Sequence, residues 1–307
     1  MAKIVVLGSF NMDLVMRAER QPARGETLQG EFAMFRGGKG YNQAVAAARL
    51  GAEVSVIGRV GDDEFGRDFL EGLAAHGIEH GNVSLDADTG TGVAAIVVDA
   101  SGENAIIQAP RANRALTATH VCAASSALAG AEAALLQLET SDAAAIAFAQ
   151  AARKANARVV LNPAPAGAVP VELLALADVV VPNATEARAL TGIQVEDVES
   201  AFEAAGWLRE RFGCTAVVTL GERGAVAVTS EGRFHEHAHQ VEAIDTVGAG
   251  DAFCAALTVA LAEGRELREA VRFGAAAGAL AVTRAGAEPS MPARAEIEQL
   301  LEKERGS

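Results

Sequence analysis

The alternation of short apolar runs with helical stretches is the feature that most restricts the fold of this chain. Residues 4–7 form a continuous apolar run that ends at Gly8, which is typical of a strand buried on both faces of a parallel sheet. Strand and helix patterns then alternate at 54–59, 64–76, 133–138, 141–156, 158–161, 178–181, 184–191 and 216–220. This order predicts an α/β fold with a doubly wound, mostly parallel central sheet and helices on both faces.

Two segments do not fit that winding. Residues 27–36 and 91–108 contain strand-like runs joined by short turns, which are typical of hairpins. We expect them to form a small β-sheet outside the main one, with lid strands inserted at about 12–36 and 90–110.

Composition excludes several classes of protein. A net charge of -14 argues against a nucleic-acid partner, because phosphate backbones are bound through an excess of Lys and Arg. No apolar run approaches the roughly 20 residues of a membrane span, and the one at residues 4–7 is too short for a signal peptide. Cys122, Cys214 and Cys254 are widely separated, which favours a reducing, cytoplasmic setting, and we expect all three in the core.

The sequence Asp-Thr-Val-Gly-Ala-Gly-Asp at 245–251 precedes an apolar helical run over 252–262. Its glycines let a backbone come close to a ligand, and the free N–H groups of a helix start favour an anion. We predict that the amides of Gly248, Ala249 and Gly250 hold a transferring phosphoryl group, while Asp251 takes a proton from the attacking hydroxyl. The alternative is that Asp251 only caps the helix, since Asp is a favoured N-cap residue.

A second glycine-rich stretch, Gly-Gly-Lys-Gly-Tyr-Asn-Gln-Ala at 37–44, opens a predicted helix that stops at Gly51. Bare backbone at its start can lie against a ligand, and Lys39 and Asn42 offer donors to hydroxyl groups. It is not a P-loop, because Gly40 follows the lysine where that motif has Ser or Thr. A nicotinamide enzyme is also disfavoured, since the first strand is not followed by G-x-G-x-x-G.

Polar residues follow the predicted strands at their carboxyl ends, where open α/β sheets bind their ligands. They are Asn11, Asp13, Glu139, Asn162, Asn183, Glu186 and Asp251. Local alternatives exist for some of them. Asn11 and Asp13 fit a turn, Asn183 and Glu186 fit a capping box, and the Gly-x-x-Gly turn at 221–224 fits an ordinary hairpin.

The two glycine motifs resemble the signatures of the ribokinase family of carbohydrate kinases, which are a Gly-Gly stretch with a following Asn, and Asp-Thr-x-Gly-Ala-Gly-Asp. The likeness covers essentially the whole chain and includes residues 136–139, 161–165 and 282–290. It implies a single ribokinase-like α/β domain over 1–307, whose lid also pairs with a second subunit in a homodimer.

The resemblance further implies a kinase that transfers the γ-phosphoryl group of ATP to the 5-hydroxyl of D-ribose, with Mg²⁺ and an activating K⁺. Matching sugar contacts are Asn11, Asp13, Gly38, Lys39, Asn42, Glu139 and Asp251. Matching nucleotide contacts are Asn183, Glu186, Thr219, Gly221, Gly224 and Gly250. Matching potassium ligands are Asp245, Val247, Ala281, Arg284, Gly286 and Ser290.

Two residues depart from the family pattern. Tyr41 stands where the pattern has a small residue, and Arg111 stands where a glycine is typical. We expect both to crowd or recharge the sugar end of the site. Two alternatives therefore stay open: a kinase for another sugar or a nucleoside on the same scaffold, and a sugar-binding protein without catalysis.

Overall fold

The structure is a computed structural model that describes residues 1–305. Within them, nine strands form the central sheet. From one edge to the other they are Arg233–Glu236 (β13), Ala225–Val228 (β12), Thr215–Thr219 (β11), Val179–Val180 (β10), Arg158–Leu161 (β9), Ala133–Leu136 (β8), Lys3–Leu7 (β1), Glu53–Gly61 (β4) and Glu79–Asp86 (β5). All neighbours from β11 to β5 are parallel, and only the pairings β11–β12 and β12–β13 are antiparallel.

Helices cover both faces of this sheet, as the strand pleat requires. Ile4 and Val6 of β1 pack into one core, whereas Val5 and Leu7 pack into the other. The first core contains Lys39–Arg49 (α1), Glu64–Ala75 (α2), Ala249–Ala262 (α9), Leu267–Ala281 (α10) and Arg294–Arg305 (α12). The second contains Ala118–Ala123 (α4), Asp142–Lys154 (α5), Val171–Leu176 (α6), Ala184–Thr191 (α7) and Val198–Phe212 (α8). The predicted doubly wound fold is confirmed.

Four short helices complete the described residues. Ala112–Ala115 (α3) and Ala287–Ser290 (α11) are single α-helical turns, and Ser125–Leu128 and Gly221–Arg223 are 3₁₀ turns.

A separate four-stranded sheet stands outside the central one, as predicted. It consists of Glu31–Gly37 (β3), Asn11–Arg17 (β2), Gly92–Val98 (β6) and Asn104–Ala109 (β7), in that spatial order. Strands β2 and β6 are parallel, and β3 and β7 pair with them as antiparallel edges. Asp13 and Gln108 lie on one face of this small sheet. Met16, Phe32, Met34 and Ile107 lie on the other and are each more than half exposed.

The cysteine expectation holds in part. Cys214 and Cys254 are buried, but Cys122 is exposed on α4, so its predicted core position is wrong. None of the helices within residues 1–305 is both long and apolar enough to cross a membrane.

Candidate active site

Asp251 lies in the first turn of α9, two residues after Ala249. The N-cap residue of this helix is Gly248, whose φ of 81° is in the left-handed region that favours glycine. The Asp251 carboxylate makes no capping bond, because its Oδ2 accepts from Asn42 Nδ2 at 3.0 Å and its Oδ1 from Gln43 Nε2 at 2.9 Å. The interpretation of Asp251 as a simple helix cap is therefore wrong.

The electrostatic setting of this carboxylate is mixed. Burial raises the pKa of Asp251, while the Lys39 ammonium and the amides of Gln43 and Asn42 oppose that rise. For Lys39, burial lowers the pKa but is outweighed by Asp251, Glu139 and Glu186, which together raise it. Lys39 and the two amide donors therefore favour an ionised Asp251 that can accept a proton.

The start of α9 offers free backbone donors beside this carboxylate. The first N–H groups of a helix have no intrahelical partner, so the amides of Gly250 and Asp251 remain available for an anion. The Ala249 amide makes only a long contact of 3.4 Å with the Thr246 carbonyl. No atom lies within 4 Å of the position that a Gly250 side chain would occupy, which leaves room for a ligand.

A cavity of about 190 Å³ lies in front of this helix start, and we call it the active-site cleft. It is lined by Lys39, Asn162, Ala164, Val181, Asn183, Glu186, Thr219, Thr246, Gly248, Gly250, Asp251 and Cys254. The cleft thus brings together seven of the predicted residues from both glycine motifs and the nucleotide segment. Cys254 is a lining residue that the sequence did not suggest, because it appeared to be only part of an apolar helix.

The predicted sugar residues adjoin the cleft between α1, β2 and β8. Glu139 Oε2 accepts from Ser9 Oγ at 2.7 Å and from the Lys39 amide at 2.8 Å, and its Oε1 accepts from Gln108 Nε2 at 3.2 Å. Burial, and then the Glu139 charge, raise the pKa of Asp13 to about 7. The Asp13 carboxyl lies over Gly37, where any side chain would meet it. Two carboxyls therefore flank the glycine stretch that opens α1.

Two buried polar atoms in this region have no hydrogen-bond partner among the described residues. They are Asn11 Nδ2 and Asn42 Oδ1. The rest of Asn11 is fixed, because its Oδ1 accepts from Asn113 Nδ2 at 3.0 Å. Both residues are predicted to bind the sugar. A sugar hydroxyl could accept from the unpaired Nδ2 group of Asn11, and another could donate to the unpaired Oδ1 atom of Asn42.

Gly38 shows why this stretch needs glycine. Its φ is 93°, and an added Cβ would lie 2.5 Å from the Ser9 carbonyl oxygen. The two segments that follow β1 and β3 therefore touch backbone to backbone.

On the nucleotide side, the predicted capping box exists. The Asn183 side chain accepts from the Glu186 amide, and the Glu186 carboxylate accepts from the Asn183 amide, both at 2.9 Å. Burial raises the pKa of Glu186. Both residues also line the cleft, so the local cap and a ligand contact are compatible.

Thr219 lines the cleft and forms an isolated bridge with Asn183, whereas Gly221 and Gly224 lie outside that lining. The Gly224 backbone packs against the Glu236 carbonyl. Its own carbonyl accepts from the Leu220 amide at 2.8 Å, and its amide donates to the Gly221 carbonyl at 3.0 Å. The hairpin interpretation of 221–224 is thus observed.

The six predicted potassium positions lie in two segments that Asp245 joins. Its Oδ1 accepts from the Val247 amide at 3.0 Å and its Oδ2 from the Gly286 amide at 2.8 Å. Three of the other positions lie after Asp245 and Val247 in the chain. Ala281 is the last residue of α10, the Arg284 side chain pairs with Glu296, and Ser290 is fully buried. We call residues 281–290 the cation loop, because four of the six predicted positions lie in it. Among residues 1–305, no group of three or more His, Cys, Asp or Glu side chains could hold a metal ion.

The expectation that Tyr41 crowds the sugar end is wrong. Its side chain is fully buried and packs edge-on against Phe69 at 5.1 Å between ring centroids. Successive helical residues point about 100° apart, so Tyr41 faces the core while Asn42 faces Asp251. Arg111 adopts φ 43°, which explains why glycine is typical there, and its guanidinium donates to the Thr91 carbonyl at 3.2 Å.

Several polar contacts at the site were missed by sequence reasoning. Ser9, Gln43, Gln108 and Asn113 each bond a predicted site residue. Gln43 follows Asn42 in the glycine motif, and that adjacency was a usable signal. Asn113 lies more than 100 residues from Asn11, and only the fold brings them together.

The doubly wound sheet, the small second sheet and the helix start with its buried carboxylate define a carbohydrate kinase. Residues 1–294 match the model for the pfkB family carbohydrate kinases, and the chain belongs to this family.

Comparisons with individual relatives agree in sequence and in fold. The chain is 41% identical over 301 residues to the ribokinase of Haemophilus influenzae, covering 97% of this chain and 98% of that protein. The structure of Arabidopsis thaliana ribokinase complexed with ribose and ATP superposes with a TM-score of 0.92 at 33% identity, over 98% of this chain and 99% of that one. The deoxyribokinase of Salmonella typhi is 34% identical over 301 residues, which cover 97% of each chain.

Proposed function

We propose that this protein is an ATP-dependent ribokinase that transfers the γ-phosphoryl group of ATP to the 5-hydroxyl of D-ribose. One observation carries the proposal: a buried carboxylate, Asp251, and the unobstructed backbone at Gly250 face one cleft. The ribokinase relatives, one of them complexed with ribose and ATP, support the choice of substrates.

In this proposal Asp251 is the general base. Asn42 and Gln43 hold one carboxylate oxygen each, so the remaining lone pairs can accept the proton of the ribose hydroxyl. The amides of Gly248, Ala249 and Gly250 would stabilise the charge on the transferring phosphoryl group. Each such donor is worth roughly 2.7 to 4 kcal/mol in related anion sites.

The sugar would be held by Asn11, Asp13, Gly38, Lys39, Asn42 and Glu139. The unpaired Nδ2 of Asn11 and Oδ1 of Asn42 support this assignment, because each lacks the partner that a hydroxyl would supply. The raised pKa of Asp13 fits as well, since its carboxyl is partly buried where a polar ligand would replace water.

The nucleotide phosphates would meet Asn183, Glu186 and Thr219 in the cleft, with Gly250 at the helix start. Gly221 and Gly224 lie outside the cleft lining, where their backbone would border the rest of the nucleotide. Mg²⁺ requires oxygen ligands and keeps several waters, so a single carboxylate beside the phosphates fits it. Glu186 is that carboxylate, and it is almost fully buried at the cleft wall. When bound, the ion would neutralise phosphate charge.

A potassium ion would be held in the cation loop and at residues 245–247. Backbone carbonyl oxygens suit this ion, so a site without a carboxylate cluster is compatible with it. Asp245 already joins the two segments through the Val247 and Gly286 amides. The buried Ser290 hydroxyl donates to the Ala287 carbonyl and keeps its lone pairs for a cation. The ion would supply positive charge that orders the segment next to Gly248.

A second candidate is a kinase for a different acceptor on the same scaffold. The deoxyribokinase of Salmonella typhi is nearly as similar to this chain as several ribokinases are, which favours 2-deoxyribose as that acceptor. The two sugars differ by one hydroxyl, and a site built to bond that hydroxyl rejects the analogue that lacks it.

The test is an acceptor panel of ribose, 2-deoxyribose, fructose and adenosine, with ADP release measured in the presence and absence of potassium. We expect the highest kcat/KM for ribose and a stimulation by potassium. A higher kcat/KM for 2-deoxyribose would shift the assignment to the second candidate. Ribose binding without any ADP release would reject catalysis and leave a sugar-binding protein.

We further infer a homodimer formed through the small sheet. The face turned away from Asp13 carries Met16, Phe32, Met34 and Ile107, and exposed apolar groups that lie together favour association. Light scattering would report a dimer, and Ile107→Glu would produce a monomer; an unchanged mass in that variant would contradict the inference. The free cysteines are in keeping with a cytoplasmic location.

A further inference from the structure

A polar cluster lies outside the active-site cleft and is centred on the Glu288 carboxylate. Its Oε2 accepts from Tyr41 Oη at 3.2 Å and lies 3.6 Å from a terminal guanidinium nitrogen of Arg36. Its Oε1 lies 3.0 Å from His76 Nε2. We call these residues, with Asp68, the Glu288 cluster. It joins α1, β3, α2 and α11, four elements that are distant in the sequence.

Helix α2 leaves space for this cluster at Gly72. An added Cβ at Gly72 would lie 2.5 Å from Tyr41 Oη and 3.0 Å from Arg36 Nε, so glycine makes the space for both groups. Asp68, one turn earlier, binds Arg36 through two parallel hydrogen bonds of 2.8 Å. The cluster is buried at Tyr41, which is inaccessible, and largely buried at Glu288, whose side chain is 17% exposed, whereas Asp68 at its outer side is 41% exposed.

The Tyr41 hydroxyl is fixed as a donor in this cluster. Burial, and then the nearby Glu288 charge, raise the pKa of Tyr41 well above its ordinary value. A protonated phenol next to a carboxylate makes a charge-assisted hydrogen bond, which is stronger than a neutral one.

Two residues of the Glu288 cluster, Arg36 and Tyr41, are close in the chain to predicted sugar residues. Arg36 directly precedes Gly37 and Gly38 at the end of β3, and Tyr41 directly precedes Asn42, whose amide holds Asp251. A shift of Arg36 or Tyr41 would therefore move the backbone that lines the sugar end.

Glu288 itself belongs to the cation loop. Glu288 follows Ala287, whose Cα lies 3.1 Å from the position of an added Cβ at Gly248. At the far end of α1, Arg49 donates to the Met291 carbonyl at 2.8 Å. Helix α1 thus contacts this loop at Glu288 through Tyr41, and the residue directly after the loop, Met291, through Arg49. The loop itself packs against Gly248, the first residue of the proposed anion site.

We propose that Tyr41 and Glu288 are positioning residues that couple the cation loop to the sugar end of the active site. The inference rests on the proposed function for the identity of the sugar and of the cation. Neither residue lines the cleft, so both act through α1 and α11 on residues that do. The pairing also gives a role to Tyr41, the bulky residue that departs from the family pattern.

Calorimetric titration of ribose in potassium chloride and in tetramethylammonium chloride, at equal ionic strength, tests the coupling without any need for turnover. For the wild type we expect the two dissociation constants to differ by a factor of at least about 5, a usual size for coupled sites. In Tyr41→Phe, which keeps the buried ring, and in Glu288→Gln, which keeps the shape, that factor should fall towards 1. The double variant should lose no more than the stronger single variant, because residues acting through one contact are not additive.

Glu304→Gln is the matched control. Its carboxylate also contacts one histidine, His239, and one arginine, Arg272, but it lies on α12 away from the cleft. We expect the wild-type potassium factor in this control. Thermal denaturation of each variant identifies any that fails to fold, and Tyr41→Phe then carries the test, because its ring packing is unchanged.

Two results would overturn the coupling. The first is a folded Tyr41→Phe and Glu288→Gln pair that keeps the full wild-type potassium factor. The second is a wild type whose ribose affinity does not respond to potassium. ADP release is measured in parallel. If no acceptor gives ADP release, the kinase assignment is rejected. The coupling is still supported in that case, provided that the wild type shows the potassium factor and the variants lose it.

Discussion

The replacement Asp251→Asn should separate catalysis from folding in this protein. Removal of a general base slows a proton transfer by about 10² to 10⁴, which corresponds to a barrier increase of roughly 2.7 to 5.4 kcal/mol. The amide that replaces the carboxylate has the same shape but a single acceptor oxygen. It can accept from Gln43, and a flip of the Asn42 amide would bring the unpaired Asn42 Oδ1 to the new NH₂ group. The local hydrogen bonds can therefore be kept.

The stability of this variant should not fall. Because burial raises the pKa of Asp251, the native state binds the proton more tightly than the unfolded state does, and ionisation costs stability as the pH rises above the ordinary value of 3.8. The neutral amide carries no such cost. It also removes one negative charge near the Lys39 ammonium, but the charges of Glu139 and Glu186 remain there. We therefore expect a melting temperature equal to or above that of the wild type at pH 7.

The assay combines ADP release with ribose, calorimetric binding of an ATP analogue, and thermal denaturation. The expected result is a loss of turnover by at least about 10², with nucleotide binding and melting temperature preserved. Asp142→Asn is the control, since that carboxylate lies in the first turn of α5 but is exposed. Near-normal turnover in Asp251→Asn would refute the role of Asp251, and a collapse of its melting temperature would refute the stability reasoning.

Three further predictions concern neighbouring positions. Gly248→Ala should lower both melting temperature and turnover, because its φ is 81° and an added Cβ would lie 3.0 Å from Met291 Cε. Gly250→Ala should lower turnover alone, since its added methyl enters open space in the cleft. Equal melting temperatures of the two variants would contradict this prediction. With the Asp13 pKa at about 7, ribose should bind about tenfold more weakly at pH 6 than at pH 8 in calorimetry, as the ionised fraction changes by that factor. Ionisation of Asp13 should also cost stability as the pH rises from its ordinary value of 3.8 through 7, and Asp13→Asn should abolish both trends. Relief of strain at φ 43° is worth about 1 to 3 kcal/mol, and the bond of Arg111 to Thr91 is worth roughly 1 kcal/mol, so Arg111→Gly should keep or raise the melting temperature. Arg111→Ala loses the bond and keeps the strain, so it should lower the melting temperature, and the reverse order would reject the strain argument.

The fold and the helix start that carries Asp251 were readable in the sequence because both depend on local order. Alternating strand and helix patterns can pack in few ways, and the carboxyl ends of parallel strands meet at one edge. The position of Asp251 at a helix start follows from the glycines that precede it. A family resemblance then supplied the sugar, nucleotide and potassium assignments, which local chemistry left open.

The orientation of individual side chains was decided only by the tertiary structure. Tyr41 and Asn42 are adjacent in the sequence, yet one lies in the core against Phe69 and the other holds Asp251. The helical repeat fixes the angle between the directions of the two side chains, but it does not determine which of them faces the cleft. That choice follows from the packing of α1 against its neighbours.

The sequence by itself thus determined the class of fold, the helix start with its carboxylate and the edge of the sheet where polar groups collect. The tertiary structure alone decided the partners that come from far along the chain, such as Asn113 at Asn11 and Glu288 at Tyr41. Such pairs have no local signature, because the distance between two side chains more than 100 residues apart depends on the whole path of the chain between them.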